Sequence, residues 1–300
     1  MAFIKDMYRD EIRDGWLVTV GKKKVWNCWL ELWQEVDRIC RKHAIKCWAY
    51  AGTLLGAARH GGFIPWDEDM DLCMMRPDFN HFCDVVEAEL DGGVFEIRQK
   101  SFSNFQICNA QTTLLGARDL VDRTGSKGLM IEIYPLDVAP DGTSSGFFAA
   151  NAINELFGTV YNFPAILNHV QSGRLTVNDW SVIETLHNFQ TIEEKYKFLS
   201  IYAAGVFDYS SAVIWAENFA RDKNILPYQK EWFRETIYLP FETIKLPAPV
   251  DYDKVLTACY GDWRVPVHDK IDRLGVIYSA DIPYKKFLEL IDMEMIFGTD

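Results

Sequence analysis

Between residues 22 and 43 apolar side chains return every three or four positions. Trp26, Trp29, Leu30, Trp33, Val36 and Cys40 share one side, with Lys, Glu, Asp and Arg between them. This spacing predicts an amphipathic helix whose tryptophan stripe is most simply core. Residues 46–51 then read as a short buried strand ending at Gly52-Thr53, and 53–60 as a short helix. A strand over 70–75 is stopped by Pro77, and a helix follows over 78–90. Further strands are expected over 95–98, 105–108, 112–117 and 128–134, the last ended by Pro135. Beyond it, 143–225 reads as mostly helical, with stripes at Val182, Leu186 and Phe189 and at Phe198, Ile201 and Tyr202. The most apolar stretch, 147–166, is interrupted by Asn151, Asn154, Glu155 and Pro164 and reads as a buried helix. A strand over 242–246, a turn through Pro247 and Pro249, and helices over 252–259 and 284–296 complete the chain.

The pattern predicts an α+β fold: a small mixed sheet with flanking helices and a largely helical addition. The expected parts are a core over 1–142, a helical region over 143–229, and a C-terminal part over 230–300 packing back on the core.

Composition narrows the function. The 300 residues are 49% hydrophobic and 25% charged, which excludes a disordered or low-complexity chain. The net charge of −12 repels a phosphate backbone, so no nucleic-acid partner is expected. The one basic run, Lys22 to Lys24, reads as a solvated helix start before a membrane contact. Seven cysteines with no C-x-x-C pair suggest reduced, buried thiols. With no signal-like or membrane-spanning segment, the expected location is cytoplasmic.

The chemistry concentrates in residues 52–72. Asp67, Glu68, Asp69 and Asp71 are four carboxylates within five residues. In an extended chain Asp67, Asp69 and Asp71 share one face. Like charges so close are tolerated best around a hard cation. Taken alone, the run reads more simply as a solvated acidic turn. Its flanks favour chemistry. The Gly52-Thr53 turn opens a helix whose N–H groups suit a phosphate, and Arg59 adds a fixed cation. A phosphate cradle beside metal-binding carboxylates is a phosphoryl-transfer arrangement.

A third carboxylate should come from a neighbouring strand. Residues 131–137, Ile-Glu-Ile-Tyr-Pro-Leu-Asp, offer Glu132 and Asp137. Glu132 sits between two isoleucines and so faces away from them; it is preferred, with Asp137 capping a turn. Arg118, with Asp119, Arg123, Thr124 and Lys127, lies ahead of this block and is either a donor-phosphate contact or a solvated loop. His60 either touches substrate or is structural.

Three segments resemble the LicD family of the nucleotidyltransferase-fold superfamily. They are Gly52 to Gly56 continuing through Arg59-His60 and Gly62 to Asp71, the block 131–137, and Tyr260-Gly261-Asp262-Trp263. The resemblance implies transfer of a phospho-alcohol, phosphorylcholine or ribitol phosphate, from a CDP-alcohol donor. The implied acceptor is a hydroxyl of a surface glycan such as lipopolysaccharide, teichoic acid or capsule. Such glycans are lipid-linked, which leaves room for peripheral contact with the inner face of the membrane. It also implies Mg²⁺ or Mn²⁺ held by Asp69, Asp71 and Glu132. The family usually carries Asp where this chain has Glu132, and the Pro266-Val267 pair departs from its usual tail.

The expected mechanism has Gly52, Thr53 and Arg59 on phosphate oxygens. His60, Arg118 and Lys127 are further substrate contacts. Asp67, Glu132 or metal coordination deprotonates the acceptor. Two other readings stand beside it: a nucleotidyltransferase that releases pyrophosphate from an NTP, and a catalytically silent binding protein.

Overall fold

The chain, as a computed structural model, is described over residues 3–100, 104–120, 122–139, 180–191, 194–195, 197–199, 202, 213–216, 228–267 and 276–297. The fold is α+β. The helix expected over 147–166, Ile201 and most of the 143–229 region lie outside the described residues.

Helix α1, Val20–Lys42, buries Trp26, Trp29, Leu30, Trp33, Val36 and Cys40 along one side, as the spacing requires. Thr19 caps it by accepting the Lys22 N–H at 3.2 Å. A hairpin of β1, Glu11–Arg13, and β2, Trp16–Val18, precedes it; its turn is Asp14-Gly15, with φ +48° and +77°. The basic run at the start of α1 is only partly solvated: Lys22 and Lys24 are half-buried. Lys23 is fully buried and its Nζ donates to the carbonyls of Asp6 at 3.0 Å and Arg9 at 2.8 Å. A buried ammonium is tolerable because these carbonyls replace its water.

The main sheet is built on β8, Leu129–Ala139. On one side β4, Asp71–Met75, runs parallel to it, with the short β3, Trp48–Ala49, antiparallel beyond. On the other side β6, Phe105–Asn109, pairs with its first half and β9, Val213–Ala216, with its second. β5, Phe95–Lys100, lies outside β6, and β10, Tyr228–Gln229, outside β9. Helices α1 and α3, Arg76–Glu89, touch each other and both pack on β8.

β8 runs through Pro135, against expectation. Glu132 donates its N–H to Met70 O at 3.1 Å, so even-numbered N–H groups of β8 face β4 and odd-numbered ones face away. The far side is paired with β6 up to Ile133 and with β9 from Leu136. Pro135 falls at this hand-over, where no donor is needed. β9 is itself a strand inside a region expected to be helical. The open edge of β8 decides its conformation.

The strand expected over 112–117 is β7, Thr113–Leu115, and it leaves the main sheet to pair with β13, Ile277–Ser279. The expected 242–246 strand is instead a hairpin of β11, Thr236–Phe241, and β12, Ile244–Pro249, turning at Glu242-Thr243. Pro247 and Pro249 sit in β12 rather than in a turn. Val250 N–H donates to Glu235 O at 3.0 Å, so alternation points the ladder bonds of 246 and 248 toward β11 and leaves both prolines facing away. Helices α4, Trp180–Asn188, α5, Tyr252–Tyr260, and α6, Tyr284–Phe297, complete the described elements. Phe241, Leu246, Val255 and Trp263 share one apolar core with Trp26 and Leu72.

The β11–β12 turn is strapped to the N-terminal hairpin. Arg13 donates to both carboxylate oxygens of Glu242, at 2.6 and 3.1 Å, and the Glu242 side chain is only 4% exposed. Glu242 Oε1 also accepts the Phe63 N–H at 3.2 Å, and a Cβ on Gly62 would collide with this carboxylate. Glu242→Ala removes one partner of a largely buried pair and is expected to cost about 3–5 kcal/mol. Asp37→Ala breaks its bond to Arg41, which is 72% exposed, and is expected to cost under about 1 kcal/mol. Urea unfolding followed by tryptophan fluorescence checks both; equal losses would remove the strap's special role.

Candidate active site

The site begins where α2 and β4 meet. Helix α2, Ala51–Arg59, follows β3 at once, and its first intrahelical bond is Leu54 N–H to Tyr50 O at 3.1 Å. The N–H groups of Ala51, Gly52 and Thr53 precede that bond and belong to the first turn. Ala51 holds φ +44°, a left-handed value that costs a non-glycine residue about 1 kcal/mol or more and marks local constraint. Tyr50 N–H donates to Asp71 O at 2.9 Å, and Asp71 N–H donates to Thr53 Oγ1 at 2.9 Å. The two elements are thus tied to each other at the residue where β4 starts. Thr53, expected on phosphate, is buried and holds the Asp71 backbone.

Asp67 is pressed against the start of α2. A Cβ on Gly52 would meet Asp67 Oδ2, so only glycine leaves room for this carboxylate. Asp67 Oδ1 accepts the Glu68 N–H at 3.1 Å. Burial first, then the adjacent Asp69 carboxylate, pushes the Asp67 pKa up to about 7. Lys22 approaches from α1: burial lowers its pKa while Glu68 and Asp67 oppose that shift.

Glu132 lies directly across from Asp71 in the parallel register of β4 and β8. Ile131 and Ile133 are fully buried and Glu132 faces the other way, as alternation predicts. Its carboxylate is heavily engaged. Oε1 accepts from Asn104 Nδ2 at 3.1 Å and from Gln106 Nε2, and Oε2 accepts from Tyr134 OH at 2.8 Å. Burial, then Asp71 and Glu132, pushes the Tyr134 phenol well above its usual pKa. Tyr260, at the end of α5, is also pushed up, by burial, then Cys259 and the charges of Asp71, Asp67 and Asp69. Two phenols therefore border the carboxylates.

The structure joins the expected residues pair by pair: Asp67 lies against Gly52 and beside Asp69, Thr53 holds Asp71, and Glu132 is opposite Asp71. It does not bring all the expected substrate contacts with them. Arg59 is at the other end of α2, about 10 Å along the axis from Gly52, and its guanidinium donates to Trp263 O at 2.9 Å. It ties α2 to the 260–263 block. His60 Nε2 lies 3.2 Å from Asp14 Oδ2, its ring stands edge-on to Trp66, and burial, then Arg59, lowers its pKa. Lys127 Nζ pairs with Asp119 Oδ1 at 2.8 Å, and Arg98 Nη2 lies 3.8 Å from Asp119 Oδ2. The side chains of Arg118 and Asp137 lie outside the described residues. Among the described residues, no three His, Cys, Asp or Glu side chains are already gathered to hold a metal ion.

The sequence reading gives no site role to Lys22, Asn104, Gln106, Tyr134 or Tyr260, and it does not contain the Arg13–Glu242 strap. Tyr134 was legible, since it stands two residues from Glu132 on one strand face. Asp14-Gly15 was a hairpin signal for β1 and β2. The bond from Arg13 to Glu242 joins residues 229 positions apart and leaves no local trace.

The raised Asp67 pKa gives a signed expectation for the metal-free protein. The folded state holds this proton up to about pH 7, whereas the unfolded carboxyl loses it near 3.8. The stability it contributes is present at low pH and is lost as pH rises through 7. Asp67→Asn cannot ionise, so it is expected to flatten that fall and to exceed the parent in stability at pH 8. Urea midpoints at pH 5 and pH 8 in EDTA decide; an unchanged slope would mean that Asp67 titrates normally.

Residues 44–132 match the family model described as the LicD/FKTN/FKRP nucleotidyltransferase domain. Over 47 residues the chain is 47% identical to the lipopolysaccharide cholinephosphotransferase LicD of Haemophilus influenzae, covering 16% of this chain and 18% of that protein. It is 35% identical over 75 residues to the mouse (Mus musculus) ribitol 5-phosphate transferase FKRP, covering 24% and 15%. It is 37% identical over 67 residues to an uncharacterized protein of Rickettsia typhi, covering 22% and 21%. The matches span about a fifth or less of these curated relatives. The family-model match, residues 44–132, includes the α2–β4 joint. The likeness to the LicD/FKTN/FKRP nucleotidyltransferase domain covers residues 44–132 of the 300.

Proposed function

We propose that this chain is a phosphotransferase that moves a phospho-alcohol, phosphorylcholine or a similar group, from a CDP-alcohol to a hydroxyl of a cell-surface glycan. The observation that carries this reading is the joint itself. Asp67 is packed against Gly52 in the first turn of α2 and beside Asp69, Asp71 is bonded through its N–H to Thr53, and Glu132 lies across from Asp71. The family model that covers this segment is the LicD/FKTN/FKRP nucleotidyltransferase domain, and partial relatives of the chain are named for cholinephosphate and ribitol phosphate transfer.

The donor set fits Mg²⁺ or Mn²⁺ in kind, because it consists of carboxylate oxygens that suit hard cations. Crowding buried carboxylates until one holds its proton to about pH 7 is a cost that a cation relieves. Asp69 and Asp71 would hold the ion. Glu132 has about four acceptor positions, of which Asn104, Gln106 and Tyr134 occupy three, leaving one for the ion. When bound, such a cation neutralises pyrophosphate charge and polarises phosphoryl oxygens.

The chain's own residues do the remainder. The first-turn N–H groups of α2 point at anionic phosphate, helped by the helix dipole. Asp67, once ionised, accepts the proton of the attacking hydroxyl at its carboxylate. Tyr134 and the two amides keep Glu132 in one orientation. No helix among the described residues is long and apolar enough to cross a membrane. We place the enzyme in the cytoplasm, meeting lipid-linked glycan at the membrane surface.

Product release tests the reading. The protein with Mg²⁺ or Mn²⁺ is incubated with CDP-choline, CDP-glycerol, CDP-ribitol or each NTP, and CMP and pyrophosphate are measured. CMP from one CDP-alcohol is the expected result. Asp69→Asn replaces an anionic ligand by a neutral one and is expected to lose at least about 100-fold in rate. Pyrophosphate from an NTP, or a fully active Asp69→Asn protein, would overturn the proposal.

A further inference from the structure

A cavity of about 350 Å³ opens on the acidic segment from the side of α1. Asp67 and Glu68 form one wall and the first turn of α1 another; the segment after β13 closes it. Asp69 and Asp71 are not in its lining. Asp67 lines this cavity and also packs its Oδ2 against Gly52 at the start of α2, beside Asp69.

The lining has a mixed character that limits what can enter. Two ammonium groups, Lys22 and Lys24, face three carboxylates, Asp67, Glu68 and Asp281. Lys24 Nζ holds Asp281 Oδ2 at 2.7 Å, and Tyr278 OH donates to Glu68 Oε2 at 3.1 Å. A free phosphate would meet the carboxylates, and a quaternary ammonium would meet the lysines. A neutral ligand with many hydroxyls can use both kinds of partner at once. Trp29 adds an apolar surface, and its Nε1–H is buried with no hydrogen-bond partner among the described residues. A buried N–H of this kind is costly unless something accepts from it. The volume is at the lower end of small-molecule pockets, which run from about 300 to 1,000 Å³.

We propose that this cavity is the acceptor subsite, and that it takes a neutral sugar residue whose hydroxyl is delivered to Asp67. The assignment rests on the transferase reading, and it adds where the second substrate enters and what chemistry admits it. The CDP-alcohol approaches from the α2 side, and the sugar approaches from the α1 side. Asp67 is the one carboxylate that both reach.

Saturation-transfer NMR on the full chain tests this with methyl β-D-galactopyranoside and methyl N-acetyl-β-D-glucosaminide as probes. Calorimetric titration of CDP-choline with Mg²⁺ reports the other side of Asp67. Signals from a glycoside are expected in the parent protein. Ala280→Trp fills the cavity and is expected to weaken them at least about tenfold by steric exclusion. Asp281 is 65% exposed, so Asp281→Ala spares the core and serves if the bulkier variant does not fold; it is expected to weaken the same signals. Signals unchanged in both variants would overturn the assignment. So would displacement of the glycoside by CDP-choline, which would make the cavity part of the donor site. CDP-choline binding without any glycoside signal would also overturn it. A protein that neither binds CDP-choline nor releases CMP, yet binds glycoside in the cavity, would sink the transferase reading while leaving a sugar site.

Discussion

Asp71 is held at both ends of its peptide. Its N–H donates to Thr53 Oγ1 and its carbonyl accepts from Tyr50, each at 2.9 Å. These two bonds lock the first turn of α2 against the first residue of β4. The chemistry of the site depends on that lock, because it brings the first-turn N–H groups of a helix to the carboxylates that precede a buried strand. A helix start favours negative charge and a run of carboxylates resists it. Asp67 bears the tension between them: glycine at position 52 admits its carboxylate, while burial and Asp69 hold it toward the protonated form.

The rest of the fold holds this joint in place from three directions. Parallel pairing sets Glu132 across from Asp71, and the side chains around Glu132 give it a fixed orientation. The C-terminal hairpin reaches back so that Glu242 accepts from Arg13 and from the backbone of Phe63, fixing the loop that leads to Asp67. Arg59 secures the far end of α2 to the backbone around Trp263. An arginine that reads in sequence as a phosphate ligand is thereby used to fasten two parts of the chain. The charge is the same, but the reach of the side chain is directed to carbonyls that sequence places 204 residues away.

Local chemistry made much of the fold legible. The tryptophan stripe predicted α1 because its burial follows from periodicity alone. The alternation around Glu132 predicted its facing because side chains in a strand alternate whatever the partner. Prolines misled for the converse reason. Pro135, Pro247 and Pro249 each remove one donor, which ends a strand only if that donor is needed. Whether it is needed depends on which neighbouring strand lies on that side. The β9 strand and the separation of β7 from the main sheet have the same origin in pairing between distant segments.

By itself the sequence determined the amphipathic helix, the strand alternation and the crowding of Asp67, Glu68, Asp69 and Asp71, since each depends on neighbours within a few residues. It also carried the block that matches the LicD-family domain. Only the tertiary structure decided that Thr53 holds a backbone, that Arg59 donates to the Trp263 carbonyl, and that Lys22 and Tyr278 meet Asp67 and Glu68 around one cavity. A carboxylate's chemistry is local, but the partners that orient it are chosen by the packing of elements far apart in the chain.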